Sequence, residues 1–282
     1  MTVIYDALKA LQTFGDIASL QESVLPLDRA ALSLGLEEYP TLNMEEYLHR
    51  LDTLATRVDV LIGHDRSSAS LLEGLNEVLF VQEGLHGNKD DYYDPRNSFL
   101  NEVLDRKIGI PISLSIIFME VARRINCPIQ GVGLPGHFLV KHTDRKGETY
   151  IDAFNRGKVV STNECQELLD QIYGGSVSIQ PSFLQPMGKK AIISRMLFNL
   201  KAIYYQREEY YKALSMVERI LILNPGVVTE IRDRGLLFMQ TSLFSKALSD
   251  LEYYLANASA PEDGTYIEGH IKTLRKIVGA SN

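Results

Sequence analysis

Three side chains near the middle of the chain have the types needed for acyl transfer: Ser113, His137 and Asp152. A hydroxyl attacks an acyl carbon when an imidazole takes its proton and a carboxylate orients the imidazole. His137 opens a stretch in which Phe138 and Val140 alternate with Leu139 and Lys141, and Asp152 follows Tyr150 and Ile151, so both read as short strands. Residues 143–147, Thr-Asp-Arg-Lys-Gly, have turn composition. With 143–146 as a four-residue hairpin loop, His142 faces Gly147 and His137 faces Asp152, their Cβ atoms roughly 4.5 to 5.5 Å apart. A slip of one residue would destroy the pairing.

This pair supports two readings. As a base held by a carboxylate, it would serve an acyl-transfer enzyme or peptide-bond hydrolase with Ser113 or water as nucleophile. As a hydrogen-bonded polar pair at the floor of a cleft, it would serve structure or grip a ligand. Ser113 falls in a first helical turn, where a hydroxyl more often serves a backbone N–H, and no nucleophile-elbow sequence surrounds it. The non-catalytic reading is therefore the leading one. His86, His137, His142 and Asp152 lack metal-ligand spacing, so neither a metal nor any other cofactor is expected.

A helix must present these groups. Pro111 suits its first turn, and residues 112–125, with Ile116, Ile117, Phe118, Met119, Val121 and Ala122, are apolar nearly all round, as in a buried core helix. Arg123 and Arg124 suit its negative end, and Pro128 lies beyond. Cys127 stands at that far end, roughly 20 Å from the start at 1.5 Å per residue. Cys165 falls in a later helical pattern, and neither thiol is expected to reach His137.

Four stretches carry a family resemblance: LNEVLF at 75–80, GLHGNKDDYYDPRNSFLNEVLDRKIGIPISLS at 84–115, GVGLPGHFLV at 131–140 and YIDAFNRG at 150–157. Through them residues 35–175 resemble the transglutaminase-like core of the bacterial SirB family, whose members carry tetratricopeptide repeats behind it. The resemblance implies a papain-like order of helix, strand His and strand Asp. It also implies a nucleophilic Cys in a Gly-x-Cys pattern at the helix N-terminus, where the dipole and the His favour a thiolate. Laid on this helix without a gap, the pattern puts Gly109 at the glycine and Pro111 at the cysteine, and Pro111 has no nucleophile. The loop at 84–95, with Asp90, Asp91 and Asp94 around Tyr92 and Tyr93, belongs to the motif and is expected at the cleft rim.

The 282 residues, 45% of them hydrophobic, have room for two domains. A net charge of −7 without a basic run leaves no footprint for nucleic acid or an anionic membrane. Two widely spaced cysteines suit a reducing compartment. No opening resembles a signal peptide and no run approaches about 18 apolar residues, so a soluble cytoplasmic protein is expected. Helices are expected at 3–14 (Val3, Ile4, Ala7, Leu8, Leu11), 27–38, 43–62 opened by an Asn43/Glu46 capping box, and 68–81. A short one through Leu104 would be capped by Asn97 or Ser98, and one from Thr162 to Tyr173 would end at Gly174. Lys158 to Val160 reads as a strand, and 176–190 as a linker.

Beyond the linker the chain repeats: Tyr211-Lys212-Ala213-Leu214 returns 34 residues later as Ser245-Lys246-Ala247-Leu248, the tetratricopeptide period. A last helix at 264–277 would cap the stack. Such repeats present a concave face to peptides, unless so few units spend it on packing against the first domain. The expectation is an α+β protein: a transglutaminase-like domain at 1–175 (helical 1–107, core 108–175), a linker at 176–190, and repeats at 191–282. Its expected work is that of a cytoplasmic protein- or peptide-binding scaffold or regulator.

Overall fold

The computed structural model describes residues 2–280, with side chains from residue 7 onward, so the expectation at Val3 and Ile4 lies outside the described side chains. The chain divides into two units, Met1–Met196 and Leu197–Asn282. The first opens with helices α1 (Thr2–Ala18), α2 (Leu27–Ser33), α3 (Met44–Ile62) and α4 (Ser68–Asn76). A two-residue strand β1 (His86–Gly87), α5 (Leu100–Arg106), strand β2 (Ile108–Gly109) and helix α6 (Pro111–Arg124) follow. Strands β3 (Ile129–Val132), β4 (Leu139–Asp144), β5 (Gly147–Asp152) and β6 (Lys158–Val160) form an antiparallel sheet in that order, before α7 (Thr162–Tyr173). β1 and β2 pair in parallel, which ties Gly87 to Gly109 just before α6.

α6 is the core helix its composition predicts. Ile112, Leu114, Ile116, Ile117, Phe118, Val121 and Ala122 are all buried. α3 turns Leu48, Leu51, Leu54, Ala55 and Val58 inward at the expected spacing. The helix expected over 68–81 instead changes at Asn76 into a π-helical turn, Glu77–Gln82, which buries three successive residues, Val78, Leu79 and Phe80. α2 stops at Ser33, short of the expected end at Glu38; Gly35 just beyond lies so close to α5 that a Cβ there would stand 2.9 Å from Asn101 Oδ1. α5 begins after Phe99 because Asn97 is engaged elsewhere, and α7 is capped by Ser161, not Thr162, in a reciprocal pair with Glu164. Asn43 precedes α3 without a side-chain capping bond.

The stretch expected as a linker is packed structure. Val177, Ile179, Phe183 and Leu184 lie against the cluster of Leu134, Leu139, Tyr150, Cys165 and Leu169, and Pro186 bridges to Val132 at the sheet edge. Its apolar residues give it something to bury, which an exposed spacer lacks. The division between units instead falls inside α8 (Lys189–Gln206).

In the second unit, α9 (Tyr210–Leu223), α10 (Val228–Gln240), α11 (Phe244–Asn257) and α12 (Gly264–Ala280) continue the antiparallel helix pairs. Ala213 and Ala247, the small residues of the repeat, are both fully buried. Glu208 and Ser242, one repeat period apart, take the same left-handed conformation at the turn between paired helices (φ 58° and 60°). Gly235 lets α11 approach α10, since a Cβ there would sit 2.8 Å from Leu251 Cδ2. At the turn between α8 and α9, Tyr204 is core while Tyr205 and Tyr211 are exposed.

At the far end of α6 the buried carboxylates Asp28 and Glu120 share two cations, Arg123 and the more deeply buried Arg124. Arg124 donates to Asp28 Oδ2 at 2.7 Å, Asp52 Oδ1 at 2.6 Å and Glu120 Oε2 at 3.0 Å. Burial and the Asp28 charge push the Glu120 carboxyl up. Asp28, which burial alone would raise, is held below the usual range by Arg124. Removing Arg124 leaves both acids to the more exposed Arg123, which stands 3.4 Å from Asp28, so Arg124→Met is expected to cost about 3 kcal/mol in urea unfolding, the low end for a broken buried pair. The triple variant with Asp28→Asn and Glu120→Gln should recover part of that loss.

Candidate functional site

His137 and Asp152 meet, although by a different register from the one the turn composition suggests. β4 and β5 are joined by a two-residue loop, Arg145-Lys146, with Asp144 opposite Gly147 and His142 opposite Thr149. This shifts the pairing by two residues from the four-residue loop expected. Because side chains alternate with period two, a shift of two keeps both groups on the same face, and His137 reaches Asp152 diagonally. Nε2 of His137 lies 3.0 Å from Asp152 Oδ2.

Asp152 is satisfied on both oxygens. Oδ2 also accepts from Asn155 Nδ2 at 2.8 Å, and Oδ1 accepts from the backbone N–H of Phe154 and Asn155 at 3.0 and 3.2 Å. Burial would raise this carboxyl, but the bonds from His137 and Asn155 outweigh it and hold it below the usual aspartate value. An ionised Asp152 can only accept, so Nε2 carries a proton, and in the neutral imidazole Nδ1 is then the nitrogen with the lone pair. Nδ1 has no hydrogen-bond partner among the described residues.

Two further elements hold the imidazole. The turn before β4 closes with the His137 N–H on the Leu134 carbonyl, and Gly136 takes φ 68° where a Cβ would stand 2.8 Å from Ile172. Arg195 on α8 donates from one nitrogen to the carbonyls of Leu134 and His137 at 2.7 and 2.6 Å. It packs over the Phe138 ring, and burial pulls its guanidinium below the usual arginine range. Phe154 meets the imidazole edge-on at 6.0 Å, and Tyr92 meets Phe154 at 6.1 Å. Arg195, Asn155 and Phe154 were absent from the candidates named above. A lone arginine in the apolar run 191–200, and an Asn three residues after Asp152 in a turn, were the available signals.

Ser113 is placed elsewhere in the hydrogen-bond network. Its hydroxyl donates to the Asn97 carbonyl at 2.6 Å and accepts from the Ile110 N–H at 3.1 Å, and the side chain is fully buried. Asn97 in turn donates to the carbonyls of Asp91 and Tyr92 and accepts from Asn88, so the loop at 88–98 is fastened to the start of α6. Pro111 occupies the first helical position. Cys127 and Cys165 are buried, and burial pushes each thiol up to about 11; the charge of Asp152 adds to that at Cys165. Neither is a thiolate near neutral pH. His86 and His142 bond through Nδ1 to the carbonyls of Gly84 and Pro128, and no three metal-ligating side chains converge among the described residues.

Asp152→Ala would leave two backbone N–H groups and the Asn155 amide without their acceptor, at a cost of about 2–4 kcal/mol in urea unfolding. Since the folded carboxyl lies below its unfolded value of about 3.9, its contribution is complete above that pH and is lost as pH falls through the folded value. The gap between wild type and variant is therefore expected to narrow on acidification below about pH 4.

The model of the transglutaminase-like superfamily matches residues 45–198, and a tetratricopeptide-repeat model matches residues 200–268. A UPF0162 protein of Xylella fastidiosa is 35% identical over 271 residues, covering 94% of this chain and 95% of that protein. One from Vibrio cholerae is 29% identical, covering 82% and 86%. Mouse F-box only protein 21 is 33% identical over 143 residues, which is 48% of this chain and 22% of that protein. No solved structure matches the chain significantly. A transglutaminase-like fold with its His–Asp pair together, followed by tetratricopeptide repeats and matched end to end by such relatives, makes this chain a member of the UPF0162 family within the transglutaminase-like superfamily.

Proposed function

We propose that this protein is a non-catalytic member of its superfamily, a protein- or peptide-binding scaffold or regulator of the cytoplasm whose His137–Asp152 pair and Ser113 are the remnant of a triad. One observation carries the reading: the helix start that would present a nucleophile holds Pro111, and the nearest hydroxyl, Ser113, is spent on Asn97 and Ile110. A serine nucleophile needs its base within hydrogen-bond reach, and Ser113 is bonded to backbone instead. The repeats fit the binding role. Their inner helices form a groove of 250 Å³ lined by Lys201, Ala202, Tyr205, Asp233, Leu236 and Leu237, apolar with a few polar groups, as peptide grooves are. No described helix is long and apolar enough to cross a membrane.

The rival, hydrolysis by an activated water, draws on the lone pair of His137 Nδ1, which could take a proton. A fluorophosphonate probe and a mixed peptide substrate separate the two. Wild type, Ser113→Ala and His137→Gln are expected to label equally, at the level of heat-denatured protein, with no peptide cleavage. Labelling lost in Ser113→Ala, or turnover lost in His137→Gln while the melting temperature holds, would make the protein an enzyme.

A further inference from the structure

A cleft of 470 Å³ is lined by Phe154 and Asn155, whose side chains meet His137 and Asp152 respectively. Phe154, whose ring meets the imidazole, and Ile108 form its apolar wall; His86 stands beside them, and Lys89, Asp90 and Arg156 form the rim. Lys89 and Arg156 are exposed, and neither has an ion-pair partner among the described residues. Most cations around them are paired: Arg96 and Arg106 with Asp94, Lys107 with Glu83, Lys158 with Glu164.

Arg156 also sits where an arginine is costly. Arg156 and Gly157 both have positive φ, 56° and 71°, and the Lys158 N–H closes on the Asn155 carbonyl at 3.3 Å, the pattern of a type I′ turn. The first central place of that turn favours Asn, Asp or Gly, because a Cβ crowds the following carbonyl in the left-handed region. Gly157 answers a packing demand, since a Cβ would stand 2.2 Å from Asn76 Oδ1. The exposed Arg156 side chain has no hydrogen bond or ion pair among the described residues, so no polar partner there offsets the strain, which points to the side chain itself.

We propose that this cleft binds a carboxylate with an apolar group beside it, the chemistry shared by the last residue of a peptide and by a free acylated amino acid. Two cations against one acid leave a single positive charge, which matches a monoanion; a phosphate dianion would meet Asp90 at the same rim. The Arg156 guanidinium supplies a fork suited to a carboxylate, and Phe154 with Ile108 takes the side chain next to it. This deepens the peptide-binding reading of the preceding subsection and rests on it.

The full-length chain is titrated by calorimetry with a pentapeptide ending in leucine, its C-terminal amide, N-acetyl-leucine and inorganic phosphate. The free acid is expected to bind about tenfold or more tightly than the amide, the yield of one charge-assisted bond pair. Arg156→Gly should lose a similar factor while melting at or above the wild-type temperature, because glycine relieves the turn. Lys89→Gln should weaken binding less, and Asp90→Asn should strengthen phosphate binding most. N-acetyl-leucine binding as well as the peptide identifies a free acid as the source; peptide binding alone identifies a chain end. Equal binding of acid and amide, undiminished binding by Arg156→Gly, or no binding of any carboxylate would overturn the proposal. The probe-labelling result does not depend on these outcomes, so failure here is distinct from discovery of an active nucleophile.

Discussion

A helix buried on nearly every side must find partners for its charged and terminal polar groups inside the protein, and α6, which leaves the buried Ser115 hydroxyl without a partner among the described residues, imposes that constraint at both its ends. Its middle is hydrocarbon, but both ends carry polarity into the core. At the start, the Ser113 hydroxyl and the Ile110 N–H just before the helix both donate to the Asn97 carbonyl, and Asn97 is held in the loop at 88–98 by its bond to Asp91. At the end, Glu120 and Asp28 are satisfied by Arg123 and Arg124. An unpaired polar group there would cost about 1–3 kcal/mol, more for a charge, so the loop and α2 must dock where they do. The helix thus fixes the position of segments far from it in sequence.

The same constraint acts at the helix start, where the resemblance expects a nucleophile. An active helix start leaves a reactive group facing a base with no other obligation. Here proline, which needs no partner for a missing N–H, opens the helix, and the nearby hydroxyl is committed to holding the loop. Freeing Ser113 for chemistry would unfasten Asn97, and with it Tyr92, which packs on Phe154 beside the imidazole. The engagement of Ser113 and the fastening of the loop to the helix start are two aspects of one hydrogen-bond arrangement.

Much of this was legible in the residues because it depends on periodicity. The burial of α6, the inward stripe of α3 and the 34-residue recurrence of Ala213 at Ala247 follow from spacing alone. The meeting of His137 and Asp152 was legible for the same reason: the loop is two residues shorter than its composition suggests, and an even shift preserves the face. The loop itself was obscure because Arg145 and Lys146 are not the residues that favour tight hairpin turns. The Asp144 side chain accepts the Lys146 N–H at 2.7 Å and stands in for that preference. The π-helical turn after Asn76 and the packing of 176–190 depend on contacts with distant segments, Gly157 and the sheet edge, which no local pattern encodes.

Arg195 shows why the support of a site is harder to read than the site. The pair itself lies within a hairpin, fifteen positions apart, but the group that holds its turn comes from α8, 58 positions from His137. One guanidinium nitrogen bridges two carbonyls, so it fixes the backbone of 134–137 and leaves the imidazole free to meet Asp152. A guanidinium suits this task because its planar donors are rigid, whereas a lysine would lose more side-chain freedom for each bond made. The catalytic-looking geometry is therefore maintained by a residue that touches neither partner's side chain. An imidazole so firmly oriented, with its second nitrogen unoccupied, is what a binding surface needs as much as an enzyme does: a directional acceptor that does not move when the ligand arrives.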